Sequence, residues 1–209
     1  AFISLIGTIL LNEIYNSKKI FKPNLVLDEL NRLVQLTLEQ HKEDSQLKDG
    51  MDMAFCCYDK RKRIMHYAGA NNPLWLIRND SRLKAVIGDE EVMLQSNMKH
   101  ADVNLFELKA DKRPIGKTYG DITNFSLTSI KIEKGDTIYL FSDGYADQFG
   151  GPRGKKLKYR PFKKILCELN GNPIKENRQI LDSKFETWKS DLDFSKLCES
   201  ESTCSEIFL

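Results

Sequence analysis

Two hydrophobic periods share this chain, and the place where one gives way to the other limits the folds open to it. Up to His41 the apolar residues recur with helical spacing. From Met51 they alternate in short runs parted by polar turns. Met51 to Tyr58 reads as a strand, Asp59-Lys60-Arg61-Lys62 as a turn, and Arg63 to Ala70 as the returning strand, a hairpin signature. Leu74 to Arg78, the Asn79-Asp80 turn and Leu83 to Ile87 predict a second hairpin. Shorter strands are expected at Val92–Gln95, Leu105–Lys109 and within Phe125–Ile132. Successive hairpins build antiparallel sheet, not crossover units.

Helices bracket this block. Phe2, Ile3, Leu5, Ile6, Ile9, Leu10 and Ile14 form a broad stripe over Ala1–Tyr15, which predicts a mostly buried helix. Val26, Leu30, Leu33, Val34, Thr37 and Leu38 predict a second, from Asn24 to His41. Pro23 falls where a missing N–H costs little. After the strands, helices are expected at Pro161–Leu169 and Ile174–Lys189, the latter with Ile174, Leu181, Phe185 and Trp188 on one face. The architecture is α+β. For the opening pair, packing against the core is the plain reading; a switch or dimer role is the other.

Within the block, Gly135 to Asp147 carries the chemistry. Thr137-Ile138-Tyr139-Leu140-Phe141 is apolar on both faces and predicts a buried strand. Asp143 stands where that strand emerges, beside Gly144, which lets the backbone turn sharply. A carboxylate at a rigid strand end suits a hard cation such as Mg²⁺ or Mn²⁺. A tight Asp-Gly turn without a ligand is the alternative.

The 209 residues are enough for one sizeable domain, and a net charge of +2 favours no class of partner. The five cysteines form no CxxC pair, and adjacent Cys56 and Cys57 should point to opposite faces of a strand. That usage predicts a reduced, cytoplasmic protein without structural zinc. The opening apolar stretch is too short to span a bilayer and lacks a basic leader, so no membrane segment is expected. The chain opens inside a helical pattern without Met, as a piece of a longer protein would. The basic run Arg153–Lys164 reads as a solvated flap or as a surface for an acidic or phosphorylated partner. With only Tyr159 and Phe162 interleaved, it lacks the aromatics of a single-strand binder, so nucleic acid is not expected.

Five segments in order resemble a known family. They are Ala1-Phe2-Ile3-Ser4-Leu5-Ile6-Gly7, Asp49-Gly50-Met51-Asp52-Met53-Ala54, Tyr67-Ala68-Gly69-Ala70-Asn71-Asn72-Pro73, Arg113-Pro114-Ile115-Gly116, and Gly135 through Asp147. Together they resemble the bacterial PP2C-type (PPM) serine/threonine phosphatases, in the sporulation stage II E or sigma-factor-regulator branch. The resemblance implies two packed antiparallel sheets flanked by helices, an αββα sandwich over residues 1–192. It implies a binuclear Mn²⁺ or Mg²⁺ centre and a metal-bound water that attacks a phosphoserine or phosphothreonine. The implied substrate is a phosphorylated regulator such as an anti-sigma-factor antagonist; a non-catalytic phosphoprotein-binding relative is the alternative. A sensor domain N-terminal to this chain and a homodimer are implied in the same way.

By position Asp143 matches the family's metal-ligand aspartate, with Gly144 shaping its turn. Asp147 is a second ligand or an acceptor beside it. Asp52, Asn71 and Asn72 are further residues that could line the site, the asparagines equally as loop formers. His66 and His100 read as ordinary strand residues. The pattern departs at both ends. The family's first acidic segment would precede Ala1, and its late pair of adjacent aspartates is missing after Leu192. Asp191 and Asp193 have the wrong spacing, and 193–209 is an atypical Ser-, Glu- and Cys-rich tail, as a frame shift or truncation would leave. A domain lacking those ligands is expected to be weakly active.

Overall fold

The opening stripes fold as α1 (Phe2–Glu13) and α2 (Pro23–Glu39), joined by a π-helical turn at Ile14–Lys18. The structure, a computed structural model, describes residues 2–39, 50–116 and 124–190. The end of the second predicted helix, Asp49 of the second motif, and the whole stretch from Asp191 to Leu209 lie outside the described residues. Proline leads α2, where its fixed φ already suits a helix. Lys19 ends the π turn in the left-handed region, and Lys18 reaches across to Glu29 of α2. Val26, Leu27, Leu30 and Val34 are buried to 2% exposure or less, so α2 presents one continuous apolar face.

α1 departs from the expectation of a mostly buried helix. Gly7 and Leu10 are buried, but Phe2, Leu5 and Ile9 are 64%, 60% and 58% exposed. Apolar residues run nearly all round this helix, while its described neighbours meet only one side. The contact on that side is close: a Cβ on Gly7 would lie 2.8 Å from Met51 Cε.

Among the described residues eleven strands follow: β1 (Met53–Asp59), β2 (Ile64–Ala70), β3 (Leu74–Arg78), β4 (Arg82–Ile87), β5 (Glu90–Gln95), β6 (Met98–His100), β7 (Val103–Leu108), β8 (Thr128–Lys131), β9 (Thr137–Tyr139), β10 (Phe149–Gly150) and β11 (Lys155–Lys156). They form a five-stranded sheet in the order β1-β2-β8-β4-β5, a four-stranded sheet in the order β6-β7-β3-β9, and the small β10-β11 ribbon. All strand pairs are antiparallel.

The first predicted hairpin is present, with Asp59 opposite Ile64. The second is not. β3 pairs with β7 and β9, whereas β4 pairs with β5 and β8, so Asn79-Asp80 carries the chain from one sheet to the other. The reason lies in burial. β3 is buried along its whole length, with Leu74 and Leu76 facing the other sheet and Trp75 and Ile77 facing helices. β4 alternates between exposed and buried positions and takes β5 as its hairpin partner through Gly88-Asp89.

The strand expected at Thr137–Phe141 is also shorter and less buried than predicted. β9 covers three residues, all half-buried, and Leu140 is 50% exposed. It is an edge strand, paired only with β3 among the described residues, so its apolar residues are covered from one side.

Three apolar clusters stack into four layers. The first sits between α1/α2 and the larger sheet, with Ala68, Ala70, Ile115 and Phe125. The second fills the space between the sheets, with Tyr67, Leu76, Leu83, Phe106 and Ile130. The third lies between the smaller sheet and the helices α4 (Tyr159–Glu168) and α5 (Ile174–Ser190). This is the α+β sandwich the sequence implied. Each fully buried Leu or Phe in these clusters stabilises it by about 1.5–3 kcal/mol before the entropy of ordering is counted. Both late helices occur as predicted, but Ile174 is 83% exposed at the start of α5 and leaves Ile180, Leu181 and Trp188 to make its contact. The three described cysteines are free, with Cys56 facing the space between the sheets as its alternation requires. Among the described residues no helix is long and apolar enough to cross a membrane.

Candidate active site

β9 is the strand that delivers Asp143. Gly135, at φ +96°, turns the chain into it, and its neighbour Asp136 is almost wholly buried. The Asp136 carboxylate accepts the Arg78 guanidinium at 2.6 and 2.9 Å and the Glu133 N–H at 2.7 Å. Arg78 also donates to the Lys131 carbonyl at 2.9 Å, so this pair ties β9 to both sheets. The Gly-Asp that opens the motif is therefore a structural lock as well as a turn.

Beyond Tyr139 the chain leaves the sheet and enters the short helix α3 (Gly144–Asp147). Asp143 precedes it in ordinary right-handed conformation, and its carbonyl accepts the Asp147 N–H at 2.8 Å. Gly144 is not among the positive-φ glycines, so the sharp turn expected there is instead the first turn of a helix. The Asp143 side chain is exposed and, among the described residues, carries no hydrogen bond or ion pair. Asp147, one turn on, is held by Lys156 at 2.6 Å. Lys156 comes from the β10-β11 ribbon, which α5 clamps in place. The Gly151 N–H donates to the Trp188 carbonyl at 2.8 Å, and the Trp188 indole donates to the Gln148 carbonyl at 3.0 Å. Only glycine fits at position 150, because a Cβ there would lie 2.1 Å from the Trp188 carbonyl oxygen.

The other predicted residues gather at the head of β1. Asp52 is exposed and accepts the Asn71 side-chain amide at 2.7 Å. Asn71 takes a left-handed φ of 59°, which asparagine tolerates better than most residues. The Asn72 carbonyl accepts the Tyr67 hydroxyl at 2.7 Å, and its N–H donates to the Ala70 carbonyl. Asn72 is thus a loop former, and Asn71 both shapes the loop and holds Asp52. Nearby, Met51 and Ile115 exchange both backbone hydrogen bonds at 2.9 and 2.8 Å, Gly50 packs against Pro114, and Gly7 packs against Met51. Four of the five sequence motifs therefore meet beside Asp52 and make its platform. His66 hydrogen-bonds Ser129 across β2 and β8, and His100 ends β6, both as ordinary strand residues.

Tyr159 lies within the electrostatic reach of both groups of carboxylates, which its place in a basic run does not betray. It opens α4 after Lys158, which sits at φ 68°, and its ring lies edge-on to Trp75 at 5.9 Å. Burial pushes its phenol above the usual range; the charges of Asp143, Asp147, Glu107 and Asp52 add to that in decreasing order. The phenol therefore stays protonated and remains a hydrogen-bond donor amid acidic groups.

These acids do not by themselves fit a binuclear divalent centre. Among the described residues no three His, Cys, Asp or Glu side chains converge to hold an ion. Asp143 offers one open carboxylate, while Asp147 and Asp52 are engaged with Lys156 and Asn71.

Comparison with known proteins bears on this arrangement. The model of the Stage II sporulation protein E (SpoIIE) family matches residues 2–190. The SiaA-PP2C domain of Pseudomonas aeruginosa superposes with a TM-score of 0.68 at 21% identity, over 90% of this chain and 63% of that domain. The phosphatase domain of the cell fate determinant SpoIIE from Bacillus subtilis aligns with a TM-score of 0.40 at 15% identity, over 89% of this chain and 67% of that domain. The chain thus spans less than two thirds of the first of these domains. No curated protein sequence matches it.

Proposed function

The chain belongs to the stage II sporulation protein E family, and from that premise we propose that it is part of a metal-dependent protein serine/threonine phosphatase domain. Its substrate is a phosphorylated regulatory protein, of the anti-sigma-factor-antagonist kind. The observation that supports this reading is the exposed, uncommitted carboxylate of Asp143 where the chain leaves β9, with Asp147 one turn on and Asp52 at the head of β1, all three close enough for their charges to reach the part-exposed Tyr159 phenol. Separate elements of both sheets supply them, as a site between two sheets requires.

Asp143 is the proposed ligand for Mn²⁺ or Mg²⁺, because its carboxylate is exposed and uncommitted. Such an ion, when bound, would supply a water of lowered pKa and neutralise charge on the phosphoryl oxygens. Asp147 is a second ligand only if it leaves Lys156; otherwise it orients that lysine. Gly144 starts the helix that fixes both aspartates. Asp52, positioned by Asn71 over the platform of Met51 and Ile115, lines the opposite side. The further donors that a binuclear centre needs are not among the described residues, so the activity proposed for this chain alone is weak. A sensor domain preceding Ala1, a homodimer and a cytoplasmic setting belong to the same proposal and rest on the resemblance and on cysteine usage.

The test is Mn²⁺-dependent phosphate release from a phosphoserine peptide, compared with the Asp143→Asn variant. Release that needs Mn²⁺ and falls at least about tenfold in the variant is the expected result. Release indifferent to both would overturn the assignment of Asp143. Tight peptide binding with no release at any Mn²⁺ concentration would make the chain a binding module instead.

A further inference from the structure

A second feature adjoins these carboxylates without belonging to them. Between β6 and the start of α4 lies an open cleft of about 500 Å³, lined by Asn97, Met98, Lys99, Tyr159, Arg160 and Lys163. The carboxylate that pairs with Lys163 is already satisfied. Glu107 accepts Lys163 Nζ at 2.7 Å and the Trp75 indole at 2.9 Å on the same oxygen. Lys163 is held further by the Trp75 ring, 4.8 Å below its ammonium. Asn97 is spent on the Glu107 N–H at 2.7 Å. Lys99 and Arg160, by contrast, have no ion-pair or hydrogen-bond partner among the described residues, and both are exposed. The cleft therefore carries two uncompensated cations over a rigid, neutralised floor. Tyr159 lines the cleft and also feels the charges of Asp143, Asp147, Glu107 and Asp52.

We propose that this cleft is a docking subsite for a carboxylate-bearing segment of the protein substrate, adjacent in sequence to its phosphorylated residue. The proposal rests on the phosphatase reading above. An extended peptide with its phosphoserine near Asp143 passes over Tyr159 and presents the next side chains to Lys99 and Arg160. Arginine suits this role because its fork matches a carboxylate. A nucleic acid fits less well. Tyr159, the one aromatic among the described lining residues, is already packed on Trp75, and a continuous polyanion would run into Asp143 and Asp147.

The test uses the full chain with EDTA present, so that neither metal nor turnover enters. Fluorescence anisotropy compares two labelled phosphoserine peptides, one flanked by aspartates and one by asparagines. Two exposed ion pairs are expected to give about a tenfold preference for the acidic peptide, weakening with salt. The Lys99→Gln/Arg160→Gln variant should lower that preference to about twofold. The Arg153→Gln/Lys155→Gln variant removes the same charge away from the cleft and should leave it intact. Thermal unfolding of each variant shows whether it is folded. Equal binding of the two peptides by the unmodified chain would overturn the proposal. So would an equal loss in the Arg153/Lys155 variant, or tighter binding of a single-stranded oligonucleotide of the same length. Anion docking and Mn²⁺-dependent release are separate readouts, so the failure of either reading leaves the other to stand on its own result.

Discussion

Arg78 and Asp136 show how much a single residue can decide in this chain. Their side chains are 7% and 2% exposed; Arg78 holds Asp136 by two hydrogen bonds and also meets the exposed Glu133 at 3.5 Å. Removing one partner leaves a buried charge, so Arg78→Met or Asp136→Asn is expected to destabilise the protein by about 3–5 kcal/mol in urea unfolding. Glu29 makes a milder case with a defined pH signature. The hydrogen bond from Arg32, then that from Lys18, holds its carboxyl at about 2, well below the ordinary 4.5. A depressed folded-state value gives stability that is present above pH 4.5 and lost as pH falls towards 2. Glu29→Gln should therefore be less stable than the unmodified chain by about 0.5–1 kcal/mol at neutral pH and indistinguishable from it near pH 2, as thermal melts across that range would show. Asp143 was legible as a site candidate because a carboxylate follows an apolar run. Asp136 was not: a Gly-Asp pair reads as a turn, and its guanidinium partner lies 58 residues away. Tyr159 was hidden for the same reason, since its acidic neighbours come from three separate segments, around Asp52, Glu107 and Asp143–Asp147.

At the scale of elements, local period served well wherever one neighbour decides the structure. Both opening helices, the β1-β2 hairpin and the two late helices lie where the apolar spacing put them. It failed where the neighbour is remote. Asn79-Asp80 has the chemistry of a hairpin turn, and nothing in the alternation of Leu74–Arg78 tells which sheet the next strand will join. α5 is governed by such remote contacts. It buries no residue fully and is fastened by the Tyr145 hydroxyl on the Leu181 carbonyl and by Trp188 on the ribbon. Gly150→Ala drives a methyl group into the Trp188 backbone, so it should cost about 1–3 kcal/mol and loosen α5. Limited proteolysis between Ile174 and Ser190 would detect this as faster cleavage while the sheets stay intact.

For the molecule as a whole, the stacking of two sheets was implied by resemblance and not by spacing, because alternation fixes which face is buried but not what covers it. β3 is the strand on which that stacking depends, with Leu76 in the layer between the sheets and Trp75 in the layer under α4. Trp75→Ala should cost about 3–5 kcal/mol by urea unfolding and should also release Lys163 and Glu107 from their fixed positions.

The strand that presents Asp143 stands at the other extreme. β9 is three residues long with one neighbour among the described residues and is locked at its start by Asp136, so beyond that lock its amides should exchange with deuterium before those of β3. Opening of the chain beyond Tyr139 would leave Asp143 in place for only a fraction of the time. Any ligand that needs it there binds more weakly by that fraction, and a change that merely keeps β9 docked would tighten binding without touching the ligand.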